Sequence, residues 1–339
     1  MSEMIHVPLA RLEACIRGIF LDRGVAEHAA SAVARVIAAG ERDSCKSHGV
    51  HRVGGCLAVL AAGKVVPDAQ PRLDPSAGPV LRVDAAGGFA PPAYEAARDQ
   101  LVLRSREYGL AALVINDCLH FSALWYEVED LARSGLAALS MCPSHATVAP
   151  SGGLAPLLGT NPFAFGWPRP GEDPFVFDFA TSVAARGEVE LHRRAGTPLP
   201  QGWAIDAEGR PTTEPQAALD GALLPFGGHK GSALSAMIEL LAGAMIGDRM
   251  SKEALDFMGG PALLPRHGAL ILAFDPMRFA AGRGRDPLAD AEVLIHAIQG
   301  QTGRLPSQRR YAARRRALER GVPLTAAEVE ALRQAGGRL

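Results

Sequence analysis

Apolar residues recur at helical spacing through the N-terminal part of the chain. Leu9, Leu12, Ile16, Ile19 and Phe20 fall on one face of a helix predicted from Pro8 to Gly24. Proline suits a first turn, where an N–H is unpaired in any case, and glycine suits a left-handed stop. An alanine-rich run over residues 26–44 predicts a second helix. Residues 51–65 predict a third, with Val53, Leu57 and Leu60 inward and Gly63 as its stop. Between them stands "SHGVHR", residues 47–52. If the third helix begins near Ser47, then His48 and Arg52 lie four apart and share a face. An imidazole can move a proton near neutral pH, and a guanidinium grips a carboxylate with a planar fork of donors. The plainer reading is a serine N-cap followed by two surface residues.

Beyond Pro67 the periods shorten and alternate. Residues 79–88 read as a strand and turn, 91–109 as a helix opened by prolines, and 110–117 as a short buried strand. A helix over 122–135 carries Leu124, Val128 and Leu131 at helical spacing, and 136–144 is another strand. Residues 143–175 are rich in Gly and Pro and read as a loop, too long for a compact domain unless it serves a site. Phe175, Phe177 and Phe179 alternate along a strand over 174–182. The span 193–228 is turn-rich, 229–247 is an apolar helix entered through glycines, and 268–276 is a strand. The tail over 286–339 is helical and basic. The pattern as a whole predicts a mixed α/β fold with a helical N-terminal region.

Length adds that 339 residues exceed one ordinary core, so two or three domains are expected. A net charge of −1 gives no global attraction to nucleic acid or anionic membrane. Five scattered cysteines without a CxxC pair argue for a reducing compartment and against a disulfide framework or a zinc site. The first residues, with an acid at Glu3 and charges inside the apolar stretch, do not read as a signal peptide, and no apolar run reaches the roughly 18 residues of a membrane span. A cytoplasmic protein without a metal is the expectation.

Several short stretches could carry chemistry. No G-x-G-x-x-G stands between a strand and a helix, and "GGHKGS" (227–232) lacks the spacing of a phosphate-binding P-loop. Its glycines nevertheless free the backbone at a helix entrance, where N–H donors and the dipole favour an anion, and His229 and Lys230 add side-chain donors. A flexible hinge before a buried helix reads equally well. "HFSALW" (120–125) follows a strand directly, a common ligand position, or else His120 is a packed ring and Ser122 a cap. "GTNP" (159–162) holds a hydroxyl and an amide in a proline-fixed turn, which suits a carboxylate ligand or is simply a good turn. Asp178 between two phenylalanines is costly if buried without partners, or faces solvent. Glu188 reads as a surface charge. Arg309 and Arg310 in "LPSQRRYAARRRALER" (305–320) can clamp a phosphate or form a solvated helix face.

Taken in order, "SHGVHR", "HFSALW", "LGTNPFAFG", "FDFATS", "LPQGWAIDAEGRPTTEP", "LLPFGGHKGSAL" and "LPSQRR" resemble the type-2 malate/L-lactate dehydrogenase family over nearly the whole chain. Within it the sequence looks most like the Δ1-piperideine-2-carboxylate/Δ1-pyrroline-2-carboxylate reductases. The resemblance implies a homodimeric oxidoreductase that uses NADPH, with NADH as an alternative. It implies a non-Rossmann cofactor domain with a mostly antiparallel sheet, plus a helical N-terminal region joined by C-terminal helices. The expected division is 1–75 as the helical domain bearing Ser-His-Gly, 76–120 with 286–339 as a discontinuous α/β substrate and dimer region, and 121–285 as the NAD(P)H-binding domain.

Carried over by motif, the resemblance makes Ser47 a relay serine, His48 the proton donor, and Arg52 and Thr160 substrate contacts. His120, Phe121, Ser122, Ala123 and Leu124 match cofactor contacts, as do Asp178, Phe179, Ala180, His229, Lys230, Ser307, Arg309 and Arg310. Arginines in the last group suggest the 2′-phosphate of NADPH. Similar enzymes carry an aspartate as the relay acid where this chain has Glu188; the extra methylene displaces the carboxylate, and catalysis tolerates such displacement poorly. The implied activity is reduction of a cyclic ketimine, and an NAD(P)-dependent 2-hydroxy acid dehydrogenase is the alternative. A Ser–His–acid hydrolase lacks the G-x-S-x-G elbow, and a non-catalytic nucleotide-binding protein draws its only encouragement from Glu188.

Overall fold

A computed structural model describes residues 4–339; Glu3, on which the leader reading partly rests, lies outside them. The chain separates into two compact units. The first comprises Met1–Leu139, Phe165–Phe177 and Ile271–Leu339, and the second Ser140–Ala164 and Asp178–Leu270. The helical N-terminal region and the C-terminal helices thus belong to one unit, whereas the sequence reading drew three regions.

In the first unit, helix Leu9–Leu21 buries Leu12, Ile16, Ile19 and Phe20, the face that the spacing predicts. It packs on helix Glu27–Arg42, which also meets helix Ala90–Tyr108. Alanine makes this middle helix narrow enough to be enclosed, and Ala29, Ala30, Ala32, Val33 and Ile37 are all buried. Strand Met4–Val7 pairs antiparallel with Val322–Thr325, joining the two ends of the described chain. The sequence reading has no strand at either place, because four residues carry too little alternation to register.

Among the described residues the largest sheet has seven strands. Their spatial order is Arg72–Leu73, Val80–Asp84, Leu110–Leu119, Arg266–Phe274, Ala137–Met141, Phe163–Trp167 and Phe175–Phe179. Val80–Asp84 runs parallel to Leu110–Leu119 and antiparallel to Arg72–Leu73, so the sheet is mixed. Strand Phe163–Trp167 corrects the expected loop over residues 143–175. Its aromatic alternation is plain in retrospect, and the Phe165 and Phe177 rings meet at 5.5 Å.

The second unit has its own core of Val148, Leu158, Val189, Leu199 and Leu223, with Trp203 packed against it. The span read as turn-rich holds an antiparallel three-stranded sheet of two-residue strands, Ala204–Ile205, Pro211–Thr212 and Ala222–Leu223. The apolar helix expected over 229–247 is α-helical over His229–Glu239 and π-helical over Leu240–Ala244. No helix among the described residues is long and apolar enough to cross a membrane.

A buried ionic cluster joins three helices of the first unit. Asp43, fully buried, follows helix Glu27–Arg42, and Glu129 lies on helix Trp125–Arg133. Arg310 and Arg314 of helix Gln308–Arg320 bind both acids, with Arg310 Nη1 to Asp43 Oδ2 at 3.0 Å and Arg314 Nη2 to Glu129 Oε2 at 3.0 Å. The Arg310 guanidinium stacks 4.1 Å from the centre of the Trp125 ring. Burial alone raises a carboxyl, but hydrogen bonds from Arg314 and Arg42 hold Asp43 below its ordinary 3.8. The ionised acid is therefore favoured by folding above that value, and the stabilisation is lost as pH falls through the lower folded-state value. Asp43→Asn is expected to cost about 3 kcal/mol at neutral pH, as when one member of a buried ion pair is removed. Denaturant unfolding checks this: the gap to the native protein should shrink below pH 3.8, and a gap that ignores pH would contradict the ionic account.

Candidate active site

The stretch at 47–52 is not one helix. Lys46–His48 form a 3-10 turn and the α-helix starts only at His51, running to Ala61. Gly49 breaks between them, and Val50, not Ser47, occupies the N-cap. The cause is Glu41, whose side chain is fully buried. Its Oε2 accepts the Val50 N–H at 2.9 Å, and its Oε1 takes the Lys46 ammonium. Lys46 Nζ also donates to the Pro323 carbonyl at 3.0 Å and pairs with Glu328 at 3.3 Å. Burial raises the Glu41 carboxyl above its ordinary value despite Lys46 and the Val50 N–H.

Two glycines make this packing possible. A Cβ on Gly40 would lie 2.5 Å from the His48 carbonyl oxygen and 2.8 Å from its carbon, while one on Gly49 would run into the Glu41 carboxylate. Gly40, Glu41 and Lys46 support the site and were missed by the sequence reading. The available signal was an acid at the end of a long alanine-rich run.

The predicted proximity of His48 and Arg52 holds, by another route. Arg52, on the first turn of the helix, reaches back across Gly49, and its Nη2 lies 3.2 Å from His48 Nε2. A guanidinium can only donate, so Nε2 is the acceptor and carries no proton. Nδ1 then holds the ring proton and donates to Ser47 Oγ at 3.0 Å. Burial, then the charge of Arg52, then His51 push the His48 imidazole down to about 3. Burial also lowers Arg52 from its ordinary value; Cys56, one turn on, is itself pushed up to about 12 by burial. Arg52 Nε is buried without a hydrogen-bond partner, and no carboxylate among the described residues binds the guanidinium. It is a cation placed for an anion that the unit itself does not supply.

The other candidates of the first unit fall in two places. His120, Phe121, Ser122 and Leu124 are buried at the end of strand Leu110–Leu119, Ala123 is half-buried, and the helix begins at Trp125, later than expected. Ser122 Oγ has no hydrogen-bond partner, unusual for a buried hydroxyl that is not facing a ligand. Ser307 precedes helix Gln308–Arg320 in a left-handed conformation and donates to the Val176 carbonyl at 2.8 Å. Arg309 is exposed, whereas Arg310 points into the ionic cluster with Asp43 and Glu129.

In the second unit, Asn161 of "GTNP" faces inward. Its amide donates to Ser235 Oγ at 2.9 Å and Glu239 Oε1 at 2.7 Å and accepts from Ser251 Oγ at 3.0 Å, so it is a structural pin and no free donor. The Thr160 carbonyl accepts the Thr181 N–H at 2.9 Å, which leaves the Thr160 side chain half-exposed on a fixed turn. Asp178 and Ala180 are half-buried and Phe179 is exposed, its ring 4.7 Å from that of Phe163. His229 and Lys230 are exposed at the start of helix His229–Glu239, entered through Gly227 and Gly228 at positive φ. A Cβ on Gly231 would lie 2.8 Å from the Thr181 carbonyl oxygen, so this helix end sits hard against the backbone beside it. Glu188 is exposed in the first turn of helix Arg186–Ala195.

A neutral imidazole beside a cation that no described carboxylate binds is compatible with the family match that follows. Residues 7–333 match the malate/L-lactate dehydrogenase family, and the chain belongs to it. It is an oxidoreductase, and membership implies a nicotinamide cofactor. The chain is 58% identical to the Δ1-pyrroline-2-carboxylate reductase of Agrobacterium fabrum, covering 98% of this chain and 96% of that one. It is 51% identical to the Δ1-pyrroline-2-carboxylate/Δ1-piperideine-2-carboxylate reductase of Pseudomonas aeruginosa, covering 95% and 96%. The crystal structure of Δ1-piperideine-2-carboxylate reductase from Pseudomonas syringae pv. tomato superposes with a TM-score of 0.93 at 42% identity, covering 98% and 99%.

Gly40→Ala tests how the turn is held. Overpacking at 2.5 Å from the His48 carbonyl is expected to cost about 1–3 kcal/mol in denaturant unfolding. Because the turn itself must move, turnover should fall at least tenfold, about 1.4 kcal/mol in the barrier. Full turnover at reduced stability would separate the packing from the site.

Proposed function

We propose that the protein reduces cyclic ketimines that carry a 2-carboxylate, Δ1-piperideine-2-carboxylate to L-pipecolate and Δ1-pyrroline-2-carboxylate to L-proline, with NADPH as reductant and NADH as a possible substitute. Arg52 carries the reading: a half-buried guanidinium, its Nε enclosed and bound by no carboxylate among the described residues, stands 3.2 Å from a neutral imidazole. A substrate with a carboxylate beside its reducible carbon satisfies the first group and brings its ring nitrogen to the second. The names of the relatives supply the ring.

Arg52 grips the carboxylate and Thr160 adds a hydroxyl. His48 gives a proton to the ring nitrogen, with Ser47 orienting the imidazole and Glu188 as the relay acid. A reduced nicotinamide supplies hydride when bound. The residues fit a dinucleotide: the unpartnered Ser122 hydroxyl offers a buried polar contact, and the glycine-framed start of helix His229–Glu239 offers backbone N–H groups to an anion. His120, Phe121, Ser122, Ala123 and Leu124 would hold it with Asp178, Phe179, Ala180, His229, Lys230 and Ser307. Arg309, exposed, suits the 2′-phosphate, while Arg310 shapes this helix from within its ionic cluster. A homodimer, on the family resemblance, and a cytoplasmic location, on the scattered unpaired cysteines, belong to the same proposal.

Oxidation of NADPH with the two cyclic imines, pyruvate and oxaloacetate in parallel tests the substrate class. The imines should exceed the oxo acids in kcat/KM; the reverse order would place the protein among 2-hydroxy acid dehydrogenases. His48→Ala should lose about 10²–10⁴-fold in kcat, and near-normal turnover would remove it as proton donor. Arg52→Ala should lose mainly kcat/KM. Arg309→Ala should raise KM for NADPH about tenfold, about 1.4 kcal/mol, and leave NADH unchanged; equal effects on both would refute the 2′-phosphate contact.

A further inference from the structure

We propose that Arg52 is a substrate-operated switch on His48: while Arg52 is unpaired it keeps the imidazole neutral, and the incoming carboxylate draws it away and lets His48 take a proton from solvent. The inference rests on the assignment of a carboxylate substrate to Arg52 and goes beyond it, because it fixes when the proton is loaded.

The argument begins with lone pairs. His48 Nε2 has one, and in the unliganded protein it is occupied by an Arg52 N–H at 3.2 Å. Nδ1 already carries its hydrogen, donated to Ser47 Oγ at 3.0 Å, so Nε2 alone can accept a proton, and only by giving up its hydrogen bond from Arg52. A fixed positive charge at that distance opposes a second one. The imidazole of a resting proton donor is therefore in the form that has no proton to give.

Among the described residues no carboxylate is bonded to His48 or Arg52, and Glu188, the relay acid of the proposed function, is exposed in the first turn of its own helix. On the same helix His51 repels a further proton and Cys56 is a neutral thiol. Glu41, on helix Glu27–Arg42, is turned to Lys46 and the Val50 N–H. Lys46, on the 3-10 turn, is shared with Glu328 of helix Ala326–Gln334. Asp43 is held by Arg42, Arg310 and Arg314. None of these carboxylates binds His48 or Arg52.

A bound carboxylate changes both terms at once. It accepts the Arg52 N–H groups that pointed at Nε2, freeing that lone pair, and its charge offsets the guanidinium. Proton affinity at His48 rises only in the complex. In turnover that proton leaves Nε2 for the ring nitrogen, and the ring carbon would take the hydride that a bound reduced nicotinamide supplies; the C=N bond becomes CH–NH, the nicotinamide is left oxidised, and the imidazole is neutral again. Loss of the product carboxylate returns Arg52 to Nε2, so each cycle takes up one proton with its substrate.

Pyrrole-2-carboxylate tests this, being a planar ring carboxylate with no group that titrates near neutrality. Its binding to the full-length protein is measured by calorimetry in buffers of different protonation enthalpy. Uptake approaching one proton per site is expected at neutral pH, with affinity falling about tenfold per pH unit above the bound-state pKa. His48→Gln should bind without uptake. In the native protein, labelled with ¹³C at histidine Cε1, the His48 resonance should stay neutral on acidification and become imidazolium when the ligand is added. Binding without uptake, uptake that persists in His48→Gln, an imidazolium already present without ligand, or no binding at all would each overturn the switch. Proton-coupled binding with no reduction of any cyclic imine would instead remove the substrate assignment and leave the switch standing.

Discussion

The geometry around His48 depends on one buried carboxylate. Glu41 is taken out of water entirely, and its desolvation is offset only because the Val50 N–H and the Lys46 ammonium both point at it. Those two donors lie on either side of His48. Satisfying Glu41 therefore folds residues 46–50 into a tight turn whether or not their own propensities favour it. The choice of glycine at 40 and 49 follows, since either Cβ would occupy space that the turn or the carboxylate already fills.

Electrostatic supply and demand are separated within this region. Glu41 and Asp43 are matched by Lys46, Arg42, Arg310 and Arg314, so the scaffold's acids are satisfied inside the unit. Arg52, a few residues away, receives no acid among the described residues. Sites that bind charged substrates commonly leave one charge uncompensated, because a ligand can then do what water no longer can. The contrast between Arg310 and Arg52 shows why residue type alone misleads: one is buried and closed by two carboxylates, the other half-buried and bound by no carboxylate among the described residues.

Much of this was legible in the sequence, and the failures have physical causes. The first helices, the Phe175–Phe179 strand and the nearness of His48 to Arg52 follow from periodicity. The turn that achieves that nearness does not, because Glu41 acts from the preceding helix and its effect is tertiary. Strands of two to four residues, such as Ala204–Ile205 and Met4–Val7, carry too few positions for alternation to speak. Asn161 looked like a ligand donor because its partners, Ser235 and Glu239, are distant along the chain. Arg310 looked like a phosphate clamp because Asp43 is more distant still.

The bonds that seat the turn and its scaffold also have a temporal side. Lys46 reaches Pro323 over 277 positions, and Arg310 and Arg314 reach Asp43 over 267 and 271. Contacts so far apart in sequence close slowly. During synthesis Lys46 and Val50 follow Glu41 at once, but Asp43 emerges long before Arg310 and Arg314, which pair with it. Until they arrive, Asp43 has only its neighbour Arg42 and favours solvent over the core, which keeps that helix end loose. The end of the second helix, although encoded near the start of the chain, is completed only when the C-terminal helix Gln308–Arg320 docks.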